Sequence, residues 1–390
     1  MAMNQLLHHL SDREKQAALH FYNFAKNKIE PIAESINQNK QITPSTWLEL
    51  GANSFLGIRA DKQFGGQALS YTMQCIAMQE ISAASPSLGL SYAAHENLCI
   101  NQLIRFGSNN QLTNYLPKLI SGAHIGALAI SEENAGSDAM SMELTAIQTN
   151  NGYILNGRKK WITNGPIADV IIVYASSLRT SDKNKLSAFI IDKNIKNWKT
   201  GNIPNKIGML GSLTSEIIFE NCFVPNKNIL GKANEASKIM MSGLDYERLI
   251  LTAGPIGIMR KCIEITKEHL QTRKQFNSNL GSFQLMQAKI ADMYTKYMAA
   301  STLMFATAYE CDNIDVDSTN CAACFLFAAE SATEVASQTV QALGAKGYST
   351  DFAAAQLLAD TKLYEIGGGT TEIRRLIIGK NILKTCKITT

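Results

Sequence analysis

The sequence predicts an α+β protein in which a helical region, a strand-rich region and a second helical region follow one another. Three observations predict it. From Ser11 to about Ile120, apolar residues such as Leu19, Phe21, Tyr22, Phe24, Ile29 and Ile32 recur at helical spacing. From about Ile125 to Leu230, short runs rich in Ile, Val, Thr and Tyr alternate with Asn-Gly, Pro and Gly turns. After Val224-Pro225-Asn226 the helical period returns and lasts to the end. The corresponding domains are residues 1–124, 125–231 and 232–390.

Each element has its own signal. Ser11-Asp12-Arg13-Glu14 reads as a helix start, with Glu in the position that closes a capping box. Strands are expected at Tyr153 to Leu155, Val170 to Tyr174, Ser187 to Ile191 and Glu216 to Phe219. The polar stretch Leu178 to Lys185 reads as an exposed hairpin loop. Helices are expected near 233–274, 282–311, 316–343, 350–366 and 370–381.

Composition narrows the function classes. The 390 residues are 45% hydrophobic and 18% charged, the balance of a chain that buries a core. A net charge of +4 without a block of like charges gives no footing for nucleic acid or an anionic membrane surface. The longest apolar runs, Ile167 to Ala175 and Met298 to Tyr309, are shorter than the ~20 residues of a membrane span, so no integral membrane contact is expected. Eight scattered cysteines read as reduced thiols. The pair Cys321 and Cys324 reads as buried structural thiols, with zinc or redox use as the alternative. Met1 to His20 does not resemble a targeting peptide, which points to a bacterial cytoplasm, with the mitochondrial matrix as the alternative.

Three segments carry candidate chemistry. Glu247 has Gly243, Leu244, Ile250 and Leu251 as its helical neighbours, so its carboxylate lies on an apolar face. Arg248 is adjacent in sequence and pairs instead with Asp245. A carboxylate so placed has its proton affinity raised by desolvation, which suits a general base, and small Gly243 leaves space above it. The other reading is a side chain that meets a basic partner from elsewhere in the fold. The second segment, Ile366-Gly367-Gly368-Gly369-Thr370-Thr371-Glu372, puts a glycine run before a helix start, where free amides favour anions; an ordinary turn is the alternative. Glu365 beside it pairs with Lys362. The third is Ala129 to Asp138 followed by Trp161-Ile162-Thr163-Asn164-Gly165, whose hydroxyls and indole suit a flat polar cofactor but also suit plain turns.

Together these segments resemble the acyl-CoA dehydrogenase family, in order and over nearly the whole chain. Ala129 to Ser141 is similar to its first signature, with Glu133 where proline is common. Arg273-Lys274-Gln275-Phe276 and Gln341-Ala342-Leu343-Gly344-Ala345 resemble two further elements, with Ala345 in place of a second glycine. Leu244 to Arg248 and Phe283 to Gln287 resemble the isovaleryl branch. The resemblance implies an N-terminal helical domain, a middle β-barrel and a C-terminal four-helix bundle, with FAD as cofactor and a homotetramer as assembly.

It also implies residue roles. Leu128, Ala129, Ile130, Ser131, Trp161, Ile162 and Thr163 would face the flavin, and Ser137 would serve both cofactor and CoA. Arg273, Gln275, Phe276 and Gln284 would meet the FAD of a neighbouring subunit, completed by Gln341, Ala342, Leu343, Gly344, Ala345, Thr370, Thr371 and Glu372. Asp245, Tyr246, Arg248, Gly367, Gly368 and Gly369 would line the substrate. Many members carry their catalytic glutamate where this chain has Gly368, and the isovaleryl and long-chain branches carry it at the position of Glu247. Gly367, where straight-chain enzymes often hold a bulky aromatic, would widen the acyl pocket. In the implied reaction Glu247 takes the α-proton and the β-hydride goes to FAD. Isovaleryl-CoA becomes 3-methylcrotonyl-CoA, as in leucine breakdown, and electron-transfer flavoprotein accepts the electrons. The alternatives are another acyl-CoA (2-methyl-branched, short or longer), transfer to oxygen, or a non-catalytic helical scaffold. Lys238 and Leu210 depart from the family's CoA-side pattern, and Lys183 and Asn184 fall in a variable loop.

Overall fold

The computed structural model describes residues 10–177 and 185–385. The loop expected at Leu178 to Lys185 lies, apart from Lys185, outside those residues. The N-terminal region folds as α1 (Asp12–Phe24), α2 (Ala33–Gln38), α3 (Pro44–Ala52), α4 (Tyr71–Ala84), α5 (Pro86–Ala93), α6 (Gln102–Phe106) and α7 (Asn109–Ile120). The start of α1 is the capping box its sequence announces: the Glu14 amide donates to the Ser11 hydroxyl and the Ser11 amide to the Glu14 carboxylate. Prolines open α3 and α5, behind Thr43 and Ser85, whose side chains accept amides of the first turn. Between α5 and α6 the helix widens to a π-helical stretch, Ala94–Asn101, which turns His95 and Glu96 into the interior.

The middle region is a sheet of eight strands: β1 (Gly126–Ala129), β2 (Thr145–Gln148), β3 (Gly152–Thr163), β4 (Val170–Ser176), β5 (Leu186–Asp192), β6 (Trp198–Thr200), β7 (Thr214–Pro225) and β8 (Ile229–Leu230). They are ordered β6-β7-β3-β2-β4-β5-β8, with β1 added in parallel beside β4. All four sequence-expected strands lie within β3, β4, β5 and β7. The long β3–β7 pair slips register twice, between Leu155 and Gly157 and between Lys159 and Ile162. The second bulge reverses the normal alternation. Lys159 turns fully inward, while Trp161, at φ +62°, is 55% exposed.

The chain then forms α8 (Ala236–Thr272), a short ribbon of β9 (Lys274–Gln275) and β10 (Ser278–Asn279), α9 (Gln284–Asn313), α10 (Ser318–Leu343), α11 (Ala353–Ile366) and α12 (Thr371–Thr385). Every residue from Tyr246 to Met259 is buried, because α8 runs between α4 on one side and α10 on the other. The two helical regions thus share one core, in which Phe21, Trp47, Ile76 and Met78 meet Leu249, Ile250 and Phe325. The sheet has its own core of Leu155, Val173, Phe189, Ile217 and Phe219. A third cluster, with Ile100, Leu103 and Leu119 against Ile172, Tyr174 and Ile190, welds the sheet to the N-terminal helices. Burying so much apolar surface is what holds the site residues still.

Cys321 and Cys324 are free and buried, and burial pushes the Cys324 thiol up to about 12, the inert state of a structural cysteine. Among the described residues no helix is long and apolar enough to cross a membrane, and no cluster of three or more His, Cys, Asp or Glu is placed to hold a metal.

Candidate active site

Glu247 sits on the buried face of α8, only 8% exposed. Among the described residues its carboxylate accepts no hydrogen bond and forms no ion pair. Burial pushes its proton affinity up to about 7, against the pull of the Arg248 and Arg374 charges. The two sequence readings of Glu247 therefore meet halfway: a basic group from elsewhere, Arg374, does approach, but it does not bond the carboxylate. Arg248 points away, its Nη1 donating to Asp245 at 2.6 Å as the i, i+3 spacing predicts.

Gly243 does not leave the open space expected of it. A side chain there would meet Gln102 Nε2 at 2.6 Å, and Gln102 is itself held by the Tyr174 hydroxyl, which donates to its Oε1 at 2.7 Å. Tyr246 faces the N-terminal helices, stacked on Tyr71 with ring centroids 4.6 Å apart and under the Arg105 guanidinium at 4.2 Å.

The glycine turn lies against the same face of α8. A Cβ on Gly368 would meet Phe325 at 2.9 Å and Leu251, one helical turn after Glu247, at 3.1 Å. Gly368 and Gly369 have φ +67° and +86°, a backbone that glycine alone adopts without strain. Among the described residues their amides donate to no group, so two free N–H donors stand beside the Glu247 face. Gly369 also faces Arg248, whose Nη2 is 3.8 Å from where its Cβ would be. Thr370 is spent locally, its hydroxyl accepting the Ile373 amide to start α12; Thr371 is buried and Glu372 exposed. Glu365 bonds Lys362 at 2.6 Å as expected, and it also accepts the Thr333 hydroxyl at 2.5 Å, so it is a half-buried strut rather than a solvated partner.

A second group of candidates meets at the sheet. The Lys160 amide donates to the Ser131 carbonyl at 2.8 Å, which sets Ile130 and Ser131 beside Trp161, Ile162 and Thr163. Leu128, Ala129 and Ile162 are buried supports, Ser131 and Thr163 are half-buried, and Ser137 is exposed. The exposed indole and the adjacent hydroxyls form a surface that suits a flat, hydrogen-bonding ring. Beneath it lies a buried ion pair. Lys159 Nζ donates to Glu132 at 2.7 Å and to the Ile130 carbonyl at 2.8 Å, while Glu132 also accepts the Leu144 amide at 3.0 Å. Asn164, at φ +64°, donates to the Ser91 carbonyl at 2.9 Å and the Gly126 carbonyl at 3.1 Å, tying this surface to α5.

The third group stands apart. Arg273, Gln275, Phe276 and Gln284 are exposed, Phe276 at 90%. They share the far end of α8 with Gln341 to Ala345, as Arg273 and Lys346 both depress the proton affinity of His269 there after desolvation. At about 1.5 Å per residue this end is roughly 40 Å from Glu247 along the helix. One chain therefore does not gather the dinucleotide candidates at a single place.

Sequence reasoning missed Arg374 and Lys159, and gave Glu132 and Asn164 no role of their own within the segments that contain them. Their partners are backbone carbonyls or lie far along the chain. The one sequence signal for Arg374 is its place as a charge beside Ile373, Leu376, Ile377 and Ile378.

Models of the N-terminal, middle and C-terminal domains of acyl-CoA dehydrogenases match residues 11–123, 127–222 and 237–383. A mitochondrial isovaleryl-CoA dehydrogenase of Oryza sativa subsp. japonica is 46% identical over 375 residues, covering 96% of this chain and 92% of the relative. A mitochondrial 2-methylacyl-CoA dehydrogenase of Solanum tuberosum is also 46% identical, over 377 residues, covering 96% and 92%. Among solved structures, a glutaryl-coenzyme A dehydrogenase in complex with glutaryl-CoA superposes with a TM-score of 0.92 at 30% identity and 98% coverage of both chains. The chain belongs to the acyl-CoA dehydrogenase family.

Proposed function

We propose that the protein is an FAD-dependent acyl-CoA dehydrogenase acting on a short branched acyl-CoA, isovaleryl-CoA first, to give 3-methylcrotonyl-CoA. The observation that carries this reading is Glu247: a buried carboxylate with no hydrogen-bond partner among the described residues, on the helix against which the glycine turn with its two free amides packs. FAD supplies the acceptor for the β-hydride. The free Gly368 amide holds the thioester carbonyl oxygen, which acidifies the α-carbon. Glu247, ionised above about pH 7, removes the α-proton and keeps it in a site that excludes water. Ser131, Trp161 and Thr163 would hold the flavin ring on the surface they share. Among the described residues a Cβ on Gly367 would meet only Leu363, at 3.5 Å, so the turn leaves room for a branch on the acyl chain.

The separation of the candidate groups along α8 supports a site built from more than one copy. Arg273, Gln275, Phe276, Gln284 and Gln341 to Ala345 serve the FAD of a neighbouring subunit, in a homotetramer. Electron-transfer flavoprotein takes the electrons. The register shifts that bend β3 support a barrel for the middle region, and domain limits at 124/125 and 231/232 belong to the same reading. For the compartment we retain the bacterial cytoplasm, with the mitochondrial matrix as the second choice because the Oryza and Solanum relatives are mitochondrial.

The test is an anaerobic absorbance titration of the purified flavoprotein with a panel of acyl-CoAs. Bleaching by stoichiometric isovaleryl-CoA is the expected result. The second reading, a 2-methyl-branched substrate, is favoured by the Solanum relative, and preferential bleaching by 2-methyl acyl-CoAs would replace the first. A protein that purifies without flavin and bleaches with none of them would remove both.

A further inference from the structure

Arg374 is the largest charged side chain fully removed from solvent among the described residues. It lies in the first turns of α12, and its Nη2 donates to two carbonyls at 2.6 Å each, Tyr364 at the end of α11 and Gly367 at the start of the glycine turn. Its guanidinium lies 3.5 Å over the centroid of Phe325, the same ring that closes on Gly368. Its Nε and Nη1 are buried and have no hydrogen-bond partner among the described residues. Those unspent donors sit in a charged neighbourhood with Glu247 and Arg248 on α8, Glu330 on α10 and Glu365 on α11. Glu330 is engaged by Arg375 and Glu365 by Lys362, whereas Glu247 has no hydrogen-bond or ion-pair partner among the described residues.

We infer that Arg374 is a positioning residue that joins the two halves of the reaction: it clamps the turn whose amides receive the thioester, and it places an unspent positive charge on the Glu247 side. The inference rests on reading Glu247 as the base. The clamp follows from the bonds: with the Gly367 carbonyl held, the following residues take up the left-handed turn that leaves the Gly368 and Gly369 amides free. The charge follows from burial, since a guanidinium without solvent acts at short range on the nearest carboxylate. The charges that act on Glu247 are Arg248 on its own helix and Arg374 on α12, and Glu330 on α10 and Glu365 on α11 act in turn on Arg374. Arg248 pulls on Glu247 as well, but its Nη1 is engaged by Asp245, and Glu330 is engaged by Arg375. Among the described residues Arg374 is the one of these two arginines that forms no ion pair with a carboxylate.

Arg374→Gln and Arg374→Lys separate the two roles, with Arg375→Gln as a control outside the site. The base is followed without turnover by infrared titration of its protonated carboxyl band, assigned by the band's loss in Glu247→Gln. Removing the charge in Arg374→Gln raises the Glu247 midpoint by about one pH unit. Arg374→Lys keeps the midpoint near the wild-type value, but its compact ammonium does not replace the planar fork, so flavin bleaching by isovaleryl-CoA slows at saturating pH. Arg375→Gln moves neither reading. An unshifted midpoint in Arg374→Gln, or a lysine variant that bleaches at the wild-type rate, overturns the corresponding half. Should the glutamine variant not fold, the lysine variant still decides the clamp, and an Arg374→Met variant decides the charge. Wild-type protein that no acyl-CoA bleaches would remove the functional reading instead, while the infrared midpoints would still report on Arg374.

Discussion

Two glutamates buried in helices show what separates a structural carboxylate from a reactive one. Glu96, in the N-terminal region, and Glu247, on α8, are both raised to about 7, and in both burial is the leading cause. Glu96 accepts the amides of Gly57 and Ile58 at 2.8 Å each, so its lone pairs are committed to fixing a loop. Among the described residues Glu247 accepts no hydrogen bond, and near it stand a glycine turn with free amides and the charges of two arginines. Burial raises a proton affinity wherever it happens. Only the site whose lone pairs remain free can receive a proton from a substrate.

The sharpest way to break this comparison is to neutralise each carboxylate in turn. Glu247→Gln is expected to slow flavin bleaching by about 10²–10⁴-fold while flavin binding persists. Glu96→Gln leaves that rate unchanged and costs about 1–3 kcal/mol of stability through one amide left without an acceptor, read by thermal or denaturant unfolding. A Glu96 variant that lost bleaching while still folded would erase the distinction.

A third buried carboxylate extends the contrast. Glu132 is paired with Lys159, whose own proton affinity burial lowers to about 8 against the pull of that partner. Lys159→Met should cost about 3–5 kcal/mol, because it strands Glu132 in the interior. The loss should appear as a lower unfolding midpoint and weaker flavin retention, with the pH dependence of bleaching unmoved.

The carboxylates also differ in how they shape stability with pH. The folded-state value of Glu247 lies above its ordinary 4.5, so its ionisation weakens the fold as pH rises from about 4.5 to 7. Glu247→Gln removes that loss and should be more stable than wild type by about 3 kcal/mol above pH 7, and close to it below pH 4.5. A stability difference that did not grow across that range would mean the carboxylate is not buried as described.

The smallest effects belong to the turn. Gly368→Ala combines a left-handed backbone with a contact of 2.9 Å to Phe325 and should cost about 1–2 kcal/mol or more. Gly367→Ala meets only Leu363 at 3.5 Å and should stay within about 0.5 kcal/mol. The same crowding argues that Gly368→Glu will not restore a base in a Glu247→Gln background.

Much of this was legible in the sequence, because periodicity and caps are local. The Ser11–Glu14 capping box, the strand runs and the Asp245–Arg248 pair depend on residues within a turn or two of one another. Glu247 stood out for the same reason, as a charge among apolar neighbours on its own helix. What stayed hidden depends on packing between distant segments. Gln102 fills the notch at Gly243, Lys159 reaches Glu132 across a bulge that reverses strand alternation, and Arg374 spends its bonds on carbonyls that no side-chain pattern records. That the two helical regions share one core was equally invisible, since a pattern of buried faces does not say which faces meet.

The most direct test of the central claim is the rate of anaerobic flavin bleaching by isovaleryl-CoA across about pH 5.5 to 8.5, in wild type and in Glu247→Gln. The account predicts a wild-type rate that climbs about tenfold per unit below pH 7 and levels above it, and a glutamine variant that is slow and flat. A Glu247→Gln protein that bleached near the wild-type rate with the same pH limb would place the base elsewhere.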